Sequence, residues 1–266
     1  MKIGFIGTGN MGGALARAAA KGGHTLLLAN RTPAKAVALA KELGGTVCPN
    51  AEAAETAELL FLGVKPQGLP GLAGELAPVL QARKGNAPVV VSMATAVTLR
   101  ELDAMLGGGL PLIRIMPNTP AAVGAGTILY AAQNVTDAQL NAFRAVLAQA
   151  GLLLPLPEAQ IDAASAISGC GPAFCFQFAD ALALGGVRAG LSYPDACRLA
   201  AQTMLGAAEM LLQGGEAPDV LKMRVCSPAG TTIEGVLALE QGGFSYTVQN
   251  AVTAAYRRTV EMTKKG

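Results

Sequence analysis

The chain opens on a strand-like run that breaks directly into glycines. Ile3-Gly4-Phe5-Ile6 is followed by Gly7-Thr8-Gly9-Asn10-Met11-Gly12, a G-x-G-x-x-G spacing, and then by an Ala-rich amphipathic stretch from Met11 to Lys21. Few features narrow the accessible folds as much. Glycine permits a tight turn at Gly7, close approach of an anionic ligand to the backbone at Gly9, and packing of helix against strand at Gly12; the helix N-terminus then offers its N–H groups to a pyrophosphate. A second strand-like run, Thr25 to Ala29, completes the first βαβ unit of a dinucleotide-binding domain.

The alternation continues, the pattern of βαβ units with a parallel sheet. Strands are expected at Thr46 to Cys48, Leu59 to Gly63, Val89 to Ser92, Leu112 to Ile115, Thr127 to Ala131 and Leu152 to Leu154. Helices are expected at Pro33 to Leu43, Leu69 to Gln81, Leu99 to Leu106 and Asp137 to Ala150. Pro155 and Pro157 mark a linker. From Ala159 onward Ala, Leu, Met and Gln recur at helical spacing with no strand, giving helices at Ala159 to Ile167, Pro172 to Ala189, Pro194 to Gln213, Pro218 to Val225, Thr232 to Gln241 and Ser245 to Thr263. The expected fold class is α/β: a Rossmann-type domain over residues 1–157, followed by an all-helical domain over residues 158–266.

Composition limits what such a chain does. Charged residues make up 14% of it against about 25% in an ordinary soluble domain, which predicts a buried homo-oligomer interface. A net charge of +2 and 4% aromatic residues supply neither the basic stripe nor the stacking rings of a nucleic-acid binder. With His24 as its one histidine, the chain has no His relay or His-based metal site. Cys48, Cys170, Cys175, Cys197 and Cys226 are odd in number and hold no C-x-x-C pair, as reduced thiols in a cytoplasmic protein do. The N-terminus shows no apolar stretch long enough for a secretion signal. The uncharged span Ile115 to Thr136 is broken by Pro117, Asn118, Pro120, Gly124 and Gly126, so it reads as a loop and strand and no membrane partner is expected.

Cofactor choice rests on the end of the second strand, where an Asp or Glu would bind a ribose 2′-hydroxyl. Here the sequence is Ala29-Asn30-Arg31-Thr32. With no carboxylate to repel a 2′-phosphate and a forked donor in Arg31, NADP(H) is favoured, with NAD(H) as a weaker alternative. Gly63-Val64-Lys65-Pro66-Gln67, Ser92-Met93-Ala94-Thr95 and Arg114-Ile115-Met116-Pro117-Asn118-Thr119-Pro120 also follow strands, so they line the carboxyl edge where ligands bind. Lys65 is either a catalytic acid, a cofactor anchor or a surface lysine, and Asn118 is held extended between two prolines. In the helical part, Ser168-Gly169-Cys170-Gly171-Pro172-Ala173 and Ser227-Pro228-Ala229-Gly230-Thr231-Thr232-Ile233-Glu234-Gly235 open helices. The second gathers hydroxyls and N–H groups suited to a carboxylate; Thr231-x-x-Glu234 also fits a capping box.

Together the glycine loop, Val64-Lys65-Pro66-Gln67, the Arg114 to Pro120 run, Ser168 to Ala173 and Ser227 to Gly235 resemble pyrroline-5-carboxylate reductases, in order over nearly the whole chain. The resemblance implies NADPH-dependent reduction of the ring imine of 1-pyrroline-5-carboxylate to L-proline. It also implies a C-terminal dimerisation domain whose partner chain helps complete each active site, and homo-oligomers built from such dimers. It implies that Asn10 and Met11 sit on the pyrophosphate with the glycines, Asn30 and Arg31 at the 2′-phosphate, and Asn50 near the adenosine ribose. Val64, Lys65, Pro66, Ser92 and Ala94 flank the nicotinamide. Ser227, Gly230 and Thr231 hold the substrate carboxylate, Asn118 adds to the substrate site, and Thr232 faces the ring nitrogen. Cys170 replaces a common serine, and Ala229 stands where glycine is frequent. Two rivals remain at this point. A hydroxyacid dehydrogenase needs a Lys base, and Lys222, Lys264 and Lys265 lie in no Gly-rich helix. An NADP(H) sensor without turnover has no need of the Ser227 to Thr232 loop.

Overall fold

A computed structural model describes residues 1–83 and 85–263; Lys264 and Lys265 lie outside them. The chain divides into two compact units, Met1–Gly169 with the segment from Tyr256 onward, and Cys170–Ala255.

The first unit is built on an eight-stranded sheet of order β3-β2-β1-β4-β5-β6-β7-β8. The strands are β1 (Lys2–Ile6), β2 (Thr25–Ala29), β3 (Thr46–Val47), β4 (Leu59–Leu62), β5 (Val89–Ser92), β6 (Leu112–Met116), β7 (Gly126–Gln133) and β8 (Gly151–Pro155). Apolar residues point to both faces because helices cover both. One face carries Ile6, Leu60, Leu62, Val90 and Leu112, the other Ile3, Phe5, Phe61, Val91 and Ile113. Phe5 and Phe61 stack with ring centroids 4.5 Å apart on adjacent strands. The helices are α1 (Asn10–Ala20), α2 (Pro33–Leu43), α3 (Asn50–Thr56), α4 (Leu69–Ala82), α5 (Leu99–Met105), α6 (Asp137–Leu147) and α7 (Glu158–Ser168).

Two expectations are corrected. The sheet is not parallel throughout, since β7 runs antiparallel to β6. The connection from Pro117 to Ala125 holds only a short 3-10 turn, less than the roughly dozen residues a parallel crossover needs, so the chain doubles back. The seven-residue α3 was not expected from the sequence: it spans too few residues for a visible helical period, and Pro49 at its N-cap is the one local signal.

An ion cluster around a buried arginine ties α7 to the sheet. Arg114 on β6 is 2% exposed and donates to Asp162 Oδ1 at 2.5 Å and Glu158 Oε1 at 3.3 Å. These carboxylates stand four residues apart on one face of α7. Glu158 Oε1 also accepts from the Leu99 N–H at 2.7 Å, so the first turn of α5 joins the same cluster.

The second unit holds α8 (Gly171–Arg188), α9 (Tyr193–Gly214), α10 (Pro218–Val225), α11 (Thr231–Gln241) and most of α12 (Phe244–Thr263). Gly186 brings α8 close to α9; a Cβ there would lie 3.1 Å from the Ala196 Cβ. Much apolar surface stays open: Phe176 is 70% exposed, Leu212 81% and Tyr246 72%. A groove of about 970 Å³ is lined by Phe174, Phe178, Leu199, Met204, Leu239 and Phe244. Among the described residues one helical stretch, Glu158–Arg188, is long and apolar enough to cross a membrane by length and composition.

Arg114→Ala removes a buried cation from two half-buried carboxylates. Loss of its charge-assisted hydrogen bonds is expected to cost about 1.5–3 kcal/mol, read as a lower urea midpoint at unchanged slope.

Candidate functional site

Strand register gathers the N-terminal candidates. Ala29, Ile6, Leu62 and Ser92 pair across β2, β1, β4 and β5, so Asn30, Gly7, Gly63 and Met93 emerge level on the carboxyl edge of the sheet. Three glycines let the backbones meet there. Gly7 has φ of +100°, and a Cβ on it would lie 2.4 Å from the Gly63 carbonyl oxygen; a Cβ on Gly63 would meet the Gly7 carbonyl oxygen at 2.4 Å, and one on Gly12 would meet it at 2.1 Å. Gly63, which the sequence reading did not single out as a site residue, is held as closely as Gly7 and Gly12.

Gly9 differs, because a Cβ built on it finds no atom within 4 Å. It forms the N-cap of α1, with no side chain capping the helix and no acidic residue in the first turn. Asn10 is exposed and Met11 half-buried. The buried Thr8 Oγ1 has no partner among the described residues. An open cradle, uncapped helix N–H groups and an unfilled hydroxyl fit a bound pyrophosphate.

Asn30 is engaged within the chain. Its Oδ1 accepts from the Thr8 N–H at 3.0 Å and its Nδ2 donates to the Thr32 carbonyl at 2.9 Å. Its amide therefore pins the glycine loop to the turn after β2, where Arg31 is exposed. Beside them lies a cavity of about 350 Å³ whose apolar walls include Pro33, Val47 and Pro49, with Asn30, Asn50 and Glu75 as its polar members. Asn50 Nδ2 donates to Glu75 Oε2 at 3.1 Å. Cys48 also lines this cavity, and burial pushes its thiol pKa up, which keeps it protonated and inert.

The remaining edge loops are firmly held. Val64 and Pro66 are half-buried, and Lys65 is exposed at the start of a 3-10 turn, its carbonyl accepting from the Gly68 N–H. Ser92 is buried, its Oγ accepting from the N–H of buried Ala94 at 3.3 Å. Asn118, also buried, donates from Nδ2 to the Ser168 carbonyl at 2.8 Å and accepts at Oδ1 from the Thr127 N–H at 2.8 Å. Its amide thus ties the β6 loop to β7 and to the last residue of α7.

In the second unit, Gly230 is the N-cap of α11, and Thr231 is its first helical residue. The expected Thr231–Glu234 capping box does not form, because Thr231 lies one position too far in; no side chain caps the helix. Its first N–H groups stay available to an anion, with the hydroxyls of exposed Ser227 and Thr231 in the same turn. Thr232 is half-buried. The loop is tight: the Gly230 N–H donates to the Ser227 carbonyl at 3.0 Å, and a Cβ on Gly230 would collide with Ser227 Oγ. Ala229 has φ of +55°, a left-handed conformation costing about 1–2 kcal/mol for a non-glycine residue. That is why glycine would suit this position.

Comparison with known proteins finds relatives over the whole chain. A family model described as pyrroline-5-carboxylate reductase dimerisation matches residues 158–262, and one described as NADP oxidoreductase, coenzyme F420-dependent, matches residues 2–96. The chain is 35% identical over 269 residues to pyrroline-5-carboxylate reductase 3 of Macaca fascicularis, covering 99% of this chain and 97% of the relative. It superposes on the structure of a Coxiella burnetii pyrroline-5-carboxylate reductase with a TM-score of 0.89 at 32% identity, covering 97% of each chain. A Plasmodium falciparum pyrroline carboxylate reductase with NADP bound gives a TM-score of 0.86 at 30% identity, covering 99% of this chain and 98% of that one.

The two kinds of glycine separate experimentally. Gly63→Ala forces a Cβ against the Gly7 carbonyl and is expected to lower the melting temperature. Gly9→Ala fills open space and is expected to leave melting unchanged while weakening dinucleotide binding about tenfold or more, that is by about 1.4 kcal/mol. Thermal unfolding and a binding titration on both variants check the contrast.

Proposed function

The chain belongs to the pyrroline-5-carboxylate reductase family, and from that premise we propose how its own residues carry the reaction. The enzyme reduces the C=N bond of 1-pyrroline-5-carboxylate to give L-proline, the last step of proline biosynthesis, with NADPH as reductant. Bound NADPH supplies the hydride; the chain supplies binding and orientation.

The observation that carries the reading is the open glycine cradle at the start of α1, where a Cβ on Gly9 would meet no atom within 4 Å and the buried Thr8 hydroxyl has no partner among the described residues, joined by the serine- and threonine-bearing turn at the start of α11. A dinucleotide phosphate and a small carboxylic acid need such sites. Gly7, Gly9, Asn10, Met11 and Gly12 receive the pyrophosphate, with Asn30 holding the loop in shape and Arg31 taking the 2′-phosphate. Val64, Lys65, Pro66, Ser92 and Ala94 flank the nicotinamide, Lys65 as an anchor. Ser227, Gly230 and Thr231 take the substrate carboxylate. Thr232 presents its hydroxyl to the ring nitrogen, and Asn118 acts at one remove by fixing the chain at Ser168.

A cyclic imine is basic enough to bind already protonated, so hydride delivery to carbon yields the amine without a strong general acid. A chain with one histidine is equipped for that. What remains is holding two rings at reacting distance, and rigid loops do this well. The C-terminal helices dimerise, and a second copy covers the apolar face that one chain leaves open. Larger homo-oligomers are built from such dimers, and the enzyme works in the cytoplasm, where its five thiols stay reduced.

Initial-rate oxidation of NADPH and then NADH with 1-pyrroline-5-carboxylate, against a hydroxyacid and ketoacid panel, tests the assignment. Turnover with the pyrroline alone, faster with NADPH, is expected; NADPH binding without turnover would leave a sensor instead. Arg31→Glu is expected to raise KM for NADPH by roughly a hundredfold, because a charge-assisted pair becomes a repulsion, while NADH kinetics change little. Thr232→Ala is expected to lower kcat about tenfold, the worth of one oriented hydrogen bond, with NADPH affinity unchanged in a fluorescence titration.

A further inference from the structure

The end of β2 lacks the carboxylate that dinucleotide-binding folds commonly place at the adenosine ribose, yet the cavity beside it contains one. Glu75 projects from the middle of α4 into the same cavity as Asn30 and Asn50, and it is hydrogen-bonded to Asn50 at 3.1 Å. A carboxylate only accepts hydrogen bonds, so the atom that Asn50 turns toward Glu75 must be Nδ2. The direction of the whole amide follows, because with Nδ2 held, Oδ1 is fixed as an acceptor.

We propose that Glu75 is the positioning residue of the adenosine pocket: by holding one N–H of Asn50 it fixes the direction of the amide, so that Asn50 Oδ1 stands as an acceptor for a hydrogen-bond donor of the cofactor's adenosine moiety. The adenosine moiety carries two kinds of donor, the ribose hydroxyl and the 6-amino group of adenine. The apolar walls at Pro33, Val47 and Pro49 suit the flat base between them. This arrangement separates two duties that one acidic residue after β2 would combine. Affinity for adenosine donors comes from α4 through a neutral amide, while the turn at Arg31 stays clear of negative charge for a 2′-phosphate. The inference rests on the NADP(H) reading above.

The test is a binding titration of the intact enzyme, following quenching of protein or nucleotide fluorescence, with NADPH and with its hypoxanthine analogue, in which a carbonyl replaces the 6-amino group. Glu75→Leu is expected to weaken NADPH about three- to tenfold, the loss of one such contact, with melting unchanged. Glu75→Gln, whose Oε1 still accepts from Asn50, is expected to stay within about twofold of wild type. An equal loss for both cofactors in Glu75→Leu identifies the ribose hydroxyl as the donor. Wild-type preference for adenine over hypoxanthine that disappears in Glu75→Leu identifies the amino group.

A second pair of variants keeps the question open to refutation if Glu75→Leu fails to fold. Asn50→Asp loses the donor and faces Glu75 with like charge, so binding weakens; adding Glu75→Gln restores a donor across the pair and the wild-type net charge, so binding returns. Unchanged affinity in Glu75→Leu, or no recovery in Asn50→Asp with Glu75→Gln, overturns the assignment while leaving NADP(H) in place. Failure of the wild type to bind NADPH at all overturns the functional reading itself.

Discussion

The sheet edge depends on a contact that contains no side chain. Where β1 ends, the backbone at Gly7 lies against the backbone at Gly63 beyond β4 and under Gly12 of α1, each within a distance that a single Cβ would occupy. Hydrogen bonds secure the meeting, with the Gly7 N–H donating to the Ala29 carbonyl and the Gly63 N–H to that of Ile6. Because three elements share one point of closest approach, the positions of the glycine loop, the α1 N-terminus and the Val64–Pro66 turn are not independent. A phosphate-binding loop built this way is rigid before ligand arrives, and a preformed site loses less conformational freedom on binding.

Polar side chains complete that rigidity from within. Asn30 fastens Thr8 to Thr32, Asn118 fastens Thr127 to Ser168, and Arg114 fastens Glu158 and Asp162. None of the three needs to touch a reacting atom to matter for catalysis. Asn30 and Asn118 each join a loop that follows a strand to an element elsewhere in the first unit, and Arg114 joins β6 itself to α7. For hydride transfer to a protonated imine, where positioning replaces acid-base chemistry, this is where the binding energy is best used.

Much of this was legible along the chain. β2 and β5 fall where uninterrupted Leu and Val runs lead into polar residues, because strands buried on both faces leave that mark. What escaped detection involves partners distant in sequence. The reversal of β7 follows from a connection length and not from any residue within β7. The role of Asn30 depends on Thr8, twenty-two positions earlier, and that of Glu75 on Asn50, twenty-five positions earlier; neither has a local spacing to announce it. At α11 the motif itself was ambiguous, since Thr231-x-x-Glu234 fits a capping box in composition, and a one-residue difference in where the helix starts decides against it.

The open apolar face of the second unit also has a consequence for how such an enzyme is handled. Helices that leave Phe176, Leu212 and Tyr246 mostly exposed in one chain do not bury enough apolar surface to stand well alone, and dimerisation supplies the rest. Folding and assembly are then a single equilibrium governed by mass action, and the fraction of competent enzyme falls on dilution with no change in sequence or solvent. Specific activity becomes a function of protein concentration, and a substitution on the outer face of α8 or α12 can abolish turnover while every atom that meets NADPH stays in place.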